Sequence, residues 1–167
     1  MAGDWHITAA ESGKAPAYIE LHRGLEALLS GETHLVANLA NVSAALFATF
    51  GWHWVGFYLV DESTDSLVLG PFQGPVACTR LHRGKGVCAA AWEKRILVNV
   101  PDVEAFPGHV ACSSLSRSEI VLPVISEGKV VAVLDIDAKD LSAFDEVDER
   151  GLEQITSMLA TLWPSWK

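Results

Sequence analysis

Long hydrophobic runs are missing from this sequence. No apolar stretch approaches the ~18 residues of a membrane-spanning helix. The first residues, Met1-Ala2-Gly3-Asp4-Trp5-His6, lack the basic region and apolar core of a secretory leader. No membrane partner is expected, and the expected compartment is cytoplasmic and reducing. Basic side chains are also few: 12 lysines and arginines stand against 21 aspartates and glutamates, a net charge of −9. With no basic stripe anywhere, that balance argues against a nucleic-acid partner or an anionic membrane surface. Cysteine is sparse, at three residues. An odd count in a reducing compartment suits redox or metal chemistry better than a structural disulfide framework. Common fingerprints are missing as well. Gly84-Lys85-Gly86 is neither a dinucleotide nor a phosphate loop, and there is no Cys-x2-Cys and no Gly-x-Ser-x-Gly. No cofactor is expected.

What remains is a globular chain: 50% hydrophobic and 20% charged, with 167 residues available to bury a core. Residues 1–14 read as an N-terminal arm and 15–167 as one domain. Ala15–Leu29 carries Tyr18, Leu21, Leu25, Leu28 and Leu29 at helical spacing. A second helix runs from Glu32 to about Phe50, with Leu35, Val36, Leu39, Val42, Leu46 and Phe50 inward, and Gly51 stops it. Trp54–Val60 and Ser66–Leu69 read as a hairpin, followed by a rigid loop over Gly70–Pro75. Val76–Leu81 reads as a short strand holding Cys78, Val87–Lys94 as a short helix holding Cys88, and Ile96–Val100 as a brief strand. Pro101–Ser118 is a long connection without periodicity, of the kind that is often functional. Glu119–Ile125 and Val130–Ile136 form a second hairpin, and Phe144–Leu162 a closing helix. The order of elements predicts an α+β fold: a mainly antiparallel sheet, helices on one face, and a loop-roofed pocket on the other.

Three groups of residues bear on chemistry. Cys112 sits among Ser113, Ser114, Ser116 and Ser118, a polar loop that suits a partly exposed thiol more than a buried one. With Cys78 and Cys88 it reads as a nucleophile plus one or two resolving thiols. The alternatives are three inert cysteines, or a zinc set drawn from Cys78, His82, Cys88, His109 and Cys112 whose spacing fits no common zinc motif. Asp135 and Asp137 share one face at the end of an apolar strand, where charge is unfavourable unless used or paired. Glu119 opens the partner strand, and hairpin pairing would bring it alongside. Trp54 and Tyr58 share a strand face and, taken alone, read as ordinary sheet core.

Several segments resemble one family. Leu69-Gly-Pro-Phe-Gln-Gly-Pro-Val-Ala-Cys78, Gly84-Lys-Gly-Val-Cys88, Phe106-Pro-Gly-His-Val-Ala-Cys112, Ser118-Glu-Ile-Val-Leu-Pro123, Trp54-Val-Gly-Phe-Tyr58 and Val133-Leu-Asp-Ile-Asp137 are similar to the free methionine-(R)-sulfoxide reductases, single-domain GAF proteins. The resemblance runs from about Ala15 to the final helix. It implies that Cys112 attacks the sulfoxide sulfur, that Cys78 is the main resolving cysteine and Cys88 a secondary one. It implies that Glu119, Asp135 and Asp137 contact the free amino acid and its sulfoxide, and that Trp54 and Tyr58 belong to the pocket; an external dithiol, with thioredoxin the expected partner, would reset the disulfide. Members of the family often carry Asp where this chain has Ser113, and Gly where it has Ala89. Two other readings stand beside this one: a non-catalytic small-molecule-sensing GAF module, and a zinc-stabilised interaction domain. The oligomeric state is open, a homodimer included.

Overall fold

A computed structural model describes residues 13–167 together with Trp5, Ile7 and Ala10. Most of the expected arm, residues 1–14, lies outside the described residues. Of its described members, Trp5 and Ile7 pack against the core and Lys14 already opens the first helix.

The chain runs α1 (Lys14–Leu29), α2 (Leu35–Phe50), β1 (Trp54–Asp61), β2 (Ser66–Gln73), β3 (Arg80–His82), α3 (Gly86–Lys94), β4 (Val98–Val100), β5 (Ser118–Ser126), β6 (Lys129–Ala138) and α4 (Glu146–Leu162). The strands form one sheet in the order β3-β2-β1-β6-β5-β4, and every described pairing is antiparallel. The β5–β6 hairpin therefore sits centrally beside β1, and its apolar run is buried on both faces.

Period-two alternation divides the core. Val55, Phe57, Ile120, Leu122, Leu134 and Ile136 face α1, α2 and α4 in one cluster. Trp54, Tyr58, Val121 and Val133 face the other way, against Val87, Cys88, Ala91 and Trp92 of α3. Three long helices thus cover one face, as expected. The short α3 belongs to the opposite face, where it joins the loops that roof the pocket.

Local chemistry fixes the ends. Gly51 closes α2 in the left-handed conformation (φ 66°), its N–H bonded to the Phe47 carbonyl. Asp145 and Asp148 form a reciprocal capping box at the start of α4. The Tyr18 hydroxyl donates to Asp148 at 2.9 Å and Lys14 pairs with the same carboxylate, so the N-termini of α1 and α4 are tied together.

Three expectations need correction. Val36, expected inward, is 52% exposed. At about 100° per residue it lies at the edge of the stripe formed by Leu39, Val42 and Leu46. The segment from Gly70 to Gln73, expected as loop, continues β2: Gly56 pairs Phe72 and Val55 pairs Gln73, with a register shift next to Gly70-Pro71. A bulge of that kind admits a proline that a regular ladder would not. Cys78 lies outside β3. Gly74 (φ 127°) and Pro75 turn the chain away from the sheet, and pairing resumes only where Leu69 N–H meets the Thr79 carbonyl at 3.0 Å.

Candidate active site

The pocket sits over the second face of the sheet, and strand register assembles its floor. Asp137 pairs Glu119 of β5 on one side and Trp54 of β1 on the other. Asp135, two residues earlier, pairs Val121 and Gly56. Glu119, Asp135, Asp137, Trp54 and Tyr58 therefore point the same way. A Cβ at Gly56 would stand 2.4 Å from Phe72 Cβ and 2.5 Å from the Trp54 ring, so glycine there is what lets the indole lie across the strand. The indole stacks on Phe72 at 5.2 Å and Tyr58 at 5.9 Å between centroids.

Both aromatics also hold the chain that carries Cys78. The Trp54 indole N–H donates to the Pro75 carbonyl at 3.1 Å. The Tyr58 hydroxyl donates to the Cys78 carbonyl at 2.9 Å. Gly74 makes this approach possible: a Cβ there would meet the His53 carbonyl at 2.7 Å.

Cys112 is exposed at the rim in the connection between β4 and β5. That connection is pinned at several points. Gly86 N–H bonds the Gly108 carbonyl at 3.0 Å and Arg117 N–H bonds the Ala138 carbonyl at 2.8 Å. His53 Nε2 lies 3.0 Å from Ser113 Oγ, and Ser113 Oγ accepts from Leu115 N–H at 3.3 Å. Ser113 thus anchors the chain just after the cysteine. Cys112 and Cys78 form a disulfide, with Cα atoms 5.6 Å apart. Cys88, in the first turn of α3, is a free and buried thiol. With Cys78 and Cys112 bonded to one another, the zinc set of Cys78, His82, Cys88, His109 and Cys112 is not assembled.

The floor is acidic and largely buried. Glu119 and Asp135 are each 6% exposed. Burial, and then the charge of Asp137, pushes the Glu119 carboxyl well above the usual carboxylate range. Burial, and then Glu119, does the same to Asp135. Asp137 is raised by burial and by Asp135, while the Ser116 hydroxyl and His109 pull it back. The physical cause is shared: adjacent carboxylates in a low-dielectric cleft do not all ionise. His109 Nε2 approaches Glu119 Oε2 at 3.4 Å. Burial, then Asp135 and Glu119, raises the Cys88 thiol far above its ordinary value.

The floor, Trp54, Tyr58, Cys88 and Cys112 line one pocket, whose cavity volume is about 40 Å³. Lys85, Gly86, Val87, His109 and Ser116 are also part of its wall. From the chain alone, His109 reads only as a zinc ligand and Ser116 only as a polar neighbour of Cys112. Their contact with the carboxylates arises from how the long connection folds back, and no periodicity announces it.

This architecture is that of a GAF domain. Residues 33–162 match the family model described as GAF domain, and the chain belongs to that family. Within it the chain is closely related to free methionine-R-sulfoxide reductases. It is 44% identical over 147 residues to the free methionine-R-sulfoxide reductase of Escherichia coli, covering 87% of this chain and 88% of that one. It is 53% identical to GAF domain-containing protein A of Dictyostelium discoideum, over 95% of this chain and 99% of that one. Among solved structures it superposes on the free methionine-R-sulfoxide reductase of Neisseria meningitidis, crystallised with its substrate, with a TM-score of 0.92, 49% identity and 96% coverage of both chains.

Proposed function

We propose that this chain reduces free methionine (R)-sulfoxide to methionine. The observation that carries the reading is the Cys78–Cys112 disulfide standing at the rim of a pocket floored by Glu119, Asp135 and Asp137. In the reduced protein the Cys112 thiolate attacks the sulfoxide sulfur. The sulfoxide oxygen takes up a proton, methionine leaves, and Cys112 carries a sulfenic acid. Cys78 then attacks that sulfur, forming the disulfide and releasing water. A dithiol protein of the thioredoxin type reduces the disulfide and is itself oxidised.

Position and thiol chemistry favour Cys78 over Cys88 as resolving partner. The 5.6 Å Cα separation of Cys78 and Cys112 falls inside the usual disulfide range. Cys88 is buried, and the anionic neighbours that raise its thiol disfavour the thiolate needed for attack.

The carboxylates divide by place. Asp137 and Glu119 are touched by Ser116 and His109 of the segment that carries Cys112. They share the pocket with Cys112, and a carboxyl held protonated there supplies the proton. Asp135, buried beside Cys88 at the start of α3 and not touched by His109 or Ser116, holds the substrate ammonium. The first turn of α3 has no acidic residue and no side-chain cap. Its N–H groups at Val87 and Cys88 suit the substrate carboxylate. Trp54 and Tyr58 form the apolar wall for the side chain. A thiolate beside carboxylates is disfavoured until a positive group arrives, so the bound ammonium both anchors substrate and activates Cys112. Residues 15–167 act as one domain in this reading.

The test is thioredoxin-coupled NADPH consumption with each sulfoxide epimer supplied separately. Consumption with free methionine (R)-sulfoxide and none with the (S)-epimer is expected. No consumption with either, while a small dithiol also fails to support turnover, would overturn the reading.

A further inference from the structure

We propose that Cys88, Glu119 and Asp135 form a binding site for a borderline-soft divalent cation of the Zn2+ kind, and that the cation excludes free methionine from the pocket. The three side chains come from different rigid elements: the first turn of α3, the start of β5 and the end of β6. All three are buried, and one ligand atom from each lies within 4.8 Å of the others. Tetrahedral zinc with bonds near 2.0–2.3 Å places its ligand atoms about 3.3–3.8 Å apart. Side-chain rotation of about an ångström closes the set. All three residues line the pocket, so a fourth position faces the opening and takes a water.

A second observation points to a ligand independently. Asp135 Oδ1 is buried and has no hydrogen-bond partner among the described residues, although the carboxyl as a whole lies within reach of Glu119 and Cys88. A buried carboxylate oxygen is rarely left so, because its desolvation is then uncompensated. The basic group that meets this trio is His109, at Glu119. Among the described residues no lysine or arginine pairs with Asp135. A cation bonded to Asp135 Oδ1 satisfies that oxygen directly. The sulfur ligand decides the class of metal: thiolate with two carboxylates suits zinc and disfavours magnesium or calcium, which take oxygen alone. The Cys88 proton leaves to solvent as the sulfur–metal bond forms. The spacing of Cys88, Glu119 and Asp135 in sequence matches no metal motif, which is why the chain itself gives no sign of this site.

The exclusion of methionine rests on the substrate reading above, and the binding of metal does not. Both are measured without turnover on the disulfide form, in which Cys88 is the one free thiol. Titration with Co2+, as a spectroscopic substitute for zinc, is expected to give one equivalent bound and a thiolate-to-cobalt charge-transfer band that Zn2+ abolishes. Cys88→Ser is expected to lose the band, and Cys88→Ser and Asp135→Asn each to weaken zinc binding at least tenfold, with circular dichroism confirming the fold. No band in the wild type, or wild-type zinc affinity in Cys88→Ser, overturns the site. Free methionine is expected to raise the apparent zinc dissociation constant in proportion to its concentration. If it does not, and the reduced enzyme still turns over sulfoxide, the shared site is wrong. If turnover is absent as well, it is the substrate reading that fails.

Discussion

The Tyr58 hydroxyl donates a 2.9 Å hydrogen bond to the backbone carbonyl of Cys78. An aromatic residue of the pocket wall is thus also a support for the cysteine that closes the disulfide. Tyr58→Phe keeps the ring and its stack on Trp54 and removes only this bond, worth about 1 kcal/mol. The expected result is a roughly fivefold lower steady-state rate, with methionine release in a single turnover unchanged. A loss confined to the first turnover would show that Tyr58 acts on substrate and not on Cys78.

Stability carries a second test. The folded state holds the Asp135 carboxyl above its usual pKa through burial and Glu119. In the unfolded chain it ionises near pH 4. Above that pH the unfolded state has given up a proton that the folded state keeps. Stability therefore falls as pH rises, until the raised pKa is passed. Asp135→Asn resembles the protonated acid and removes this slope. Its unfolding free energy relative to wild type is expected to improve by at least about 1 kcal/mol between pH 4.5 and 7.5. Parallel curves from denaturant unfolding would contradict the buried, protonated carboxyl.

Much of this floor is visible in the chain. Asp135 and Asp137 two apart at the end of an apolar strand, and Glu119 opening its hairpin partner, predict a shared face, and the Glu119–Asp137 pairing realises it. The two hairpins and the long helices follow from periodicity in the same way. The roof is less legible because its chemistry is non-local. Cys78 reads as strand from Val76-Ala77-Cys78, yet Gly74 and Pro75 delay pairing until Thr79. The β2 extension through Gly70-Pro71 depends on a bulge that local turn residues disguise. His109 and Ser116 reach the carboxylates only because Gly108 is tied to α3 and Arg117 to β6. A histidine three residues before a candidate nucleophile in a long aperiodic loop was the available signal.

Recognition of the amine gives a third test. Asp135→Asn and Asp137→Asn are each expected to lower kcat/KM on free methionine sulfoxide more than tenfold. Loss of the ammonium partner appears in KM. Loss of general-acid help, typically about 10²–10⁴-fold, appears in kcat. N-acetyl-methionine sulfoxide lacks the positive charge and leaves buried carboxylates unpaired, so wild type is expected to use it poorly. Equal kcat/KM on the free and acetylated substrates would remove the carboxylates from substrate binding.

The roles of Cys112 and Cys78 meet their most direct test in a single turnover. Pre-reduced wild type, Cys78→Ser and Cys112→Ser are mixed with excess free methionine (R)-sulfoxide without external reductant, and released methionine is counted per enzyme. About one is expected from wild type and one from Cys78→Ser, whose Cys112 then reacts with a sulfenic-acid reagent, and none from Cys112→Ser with its circular dichroism unchanged. Methionine released by Cys112→Ser at the wild-type level would contradict these roles.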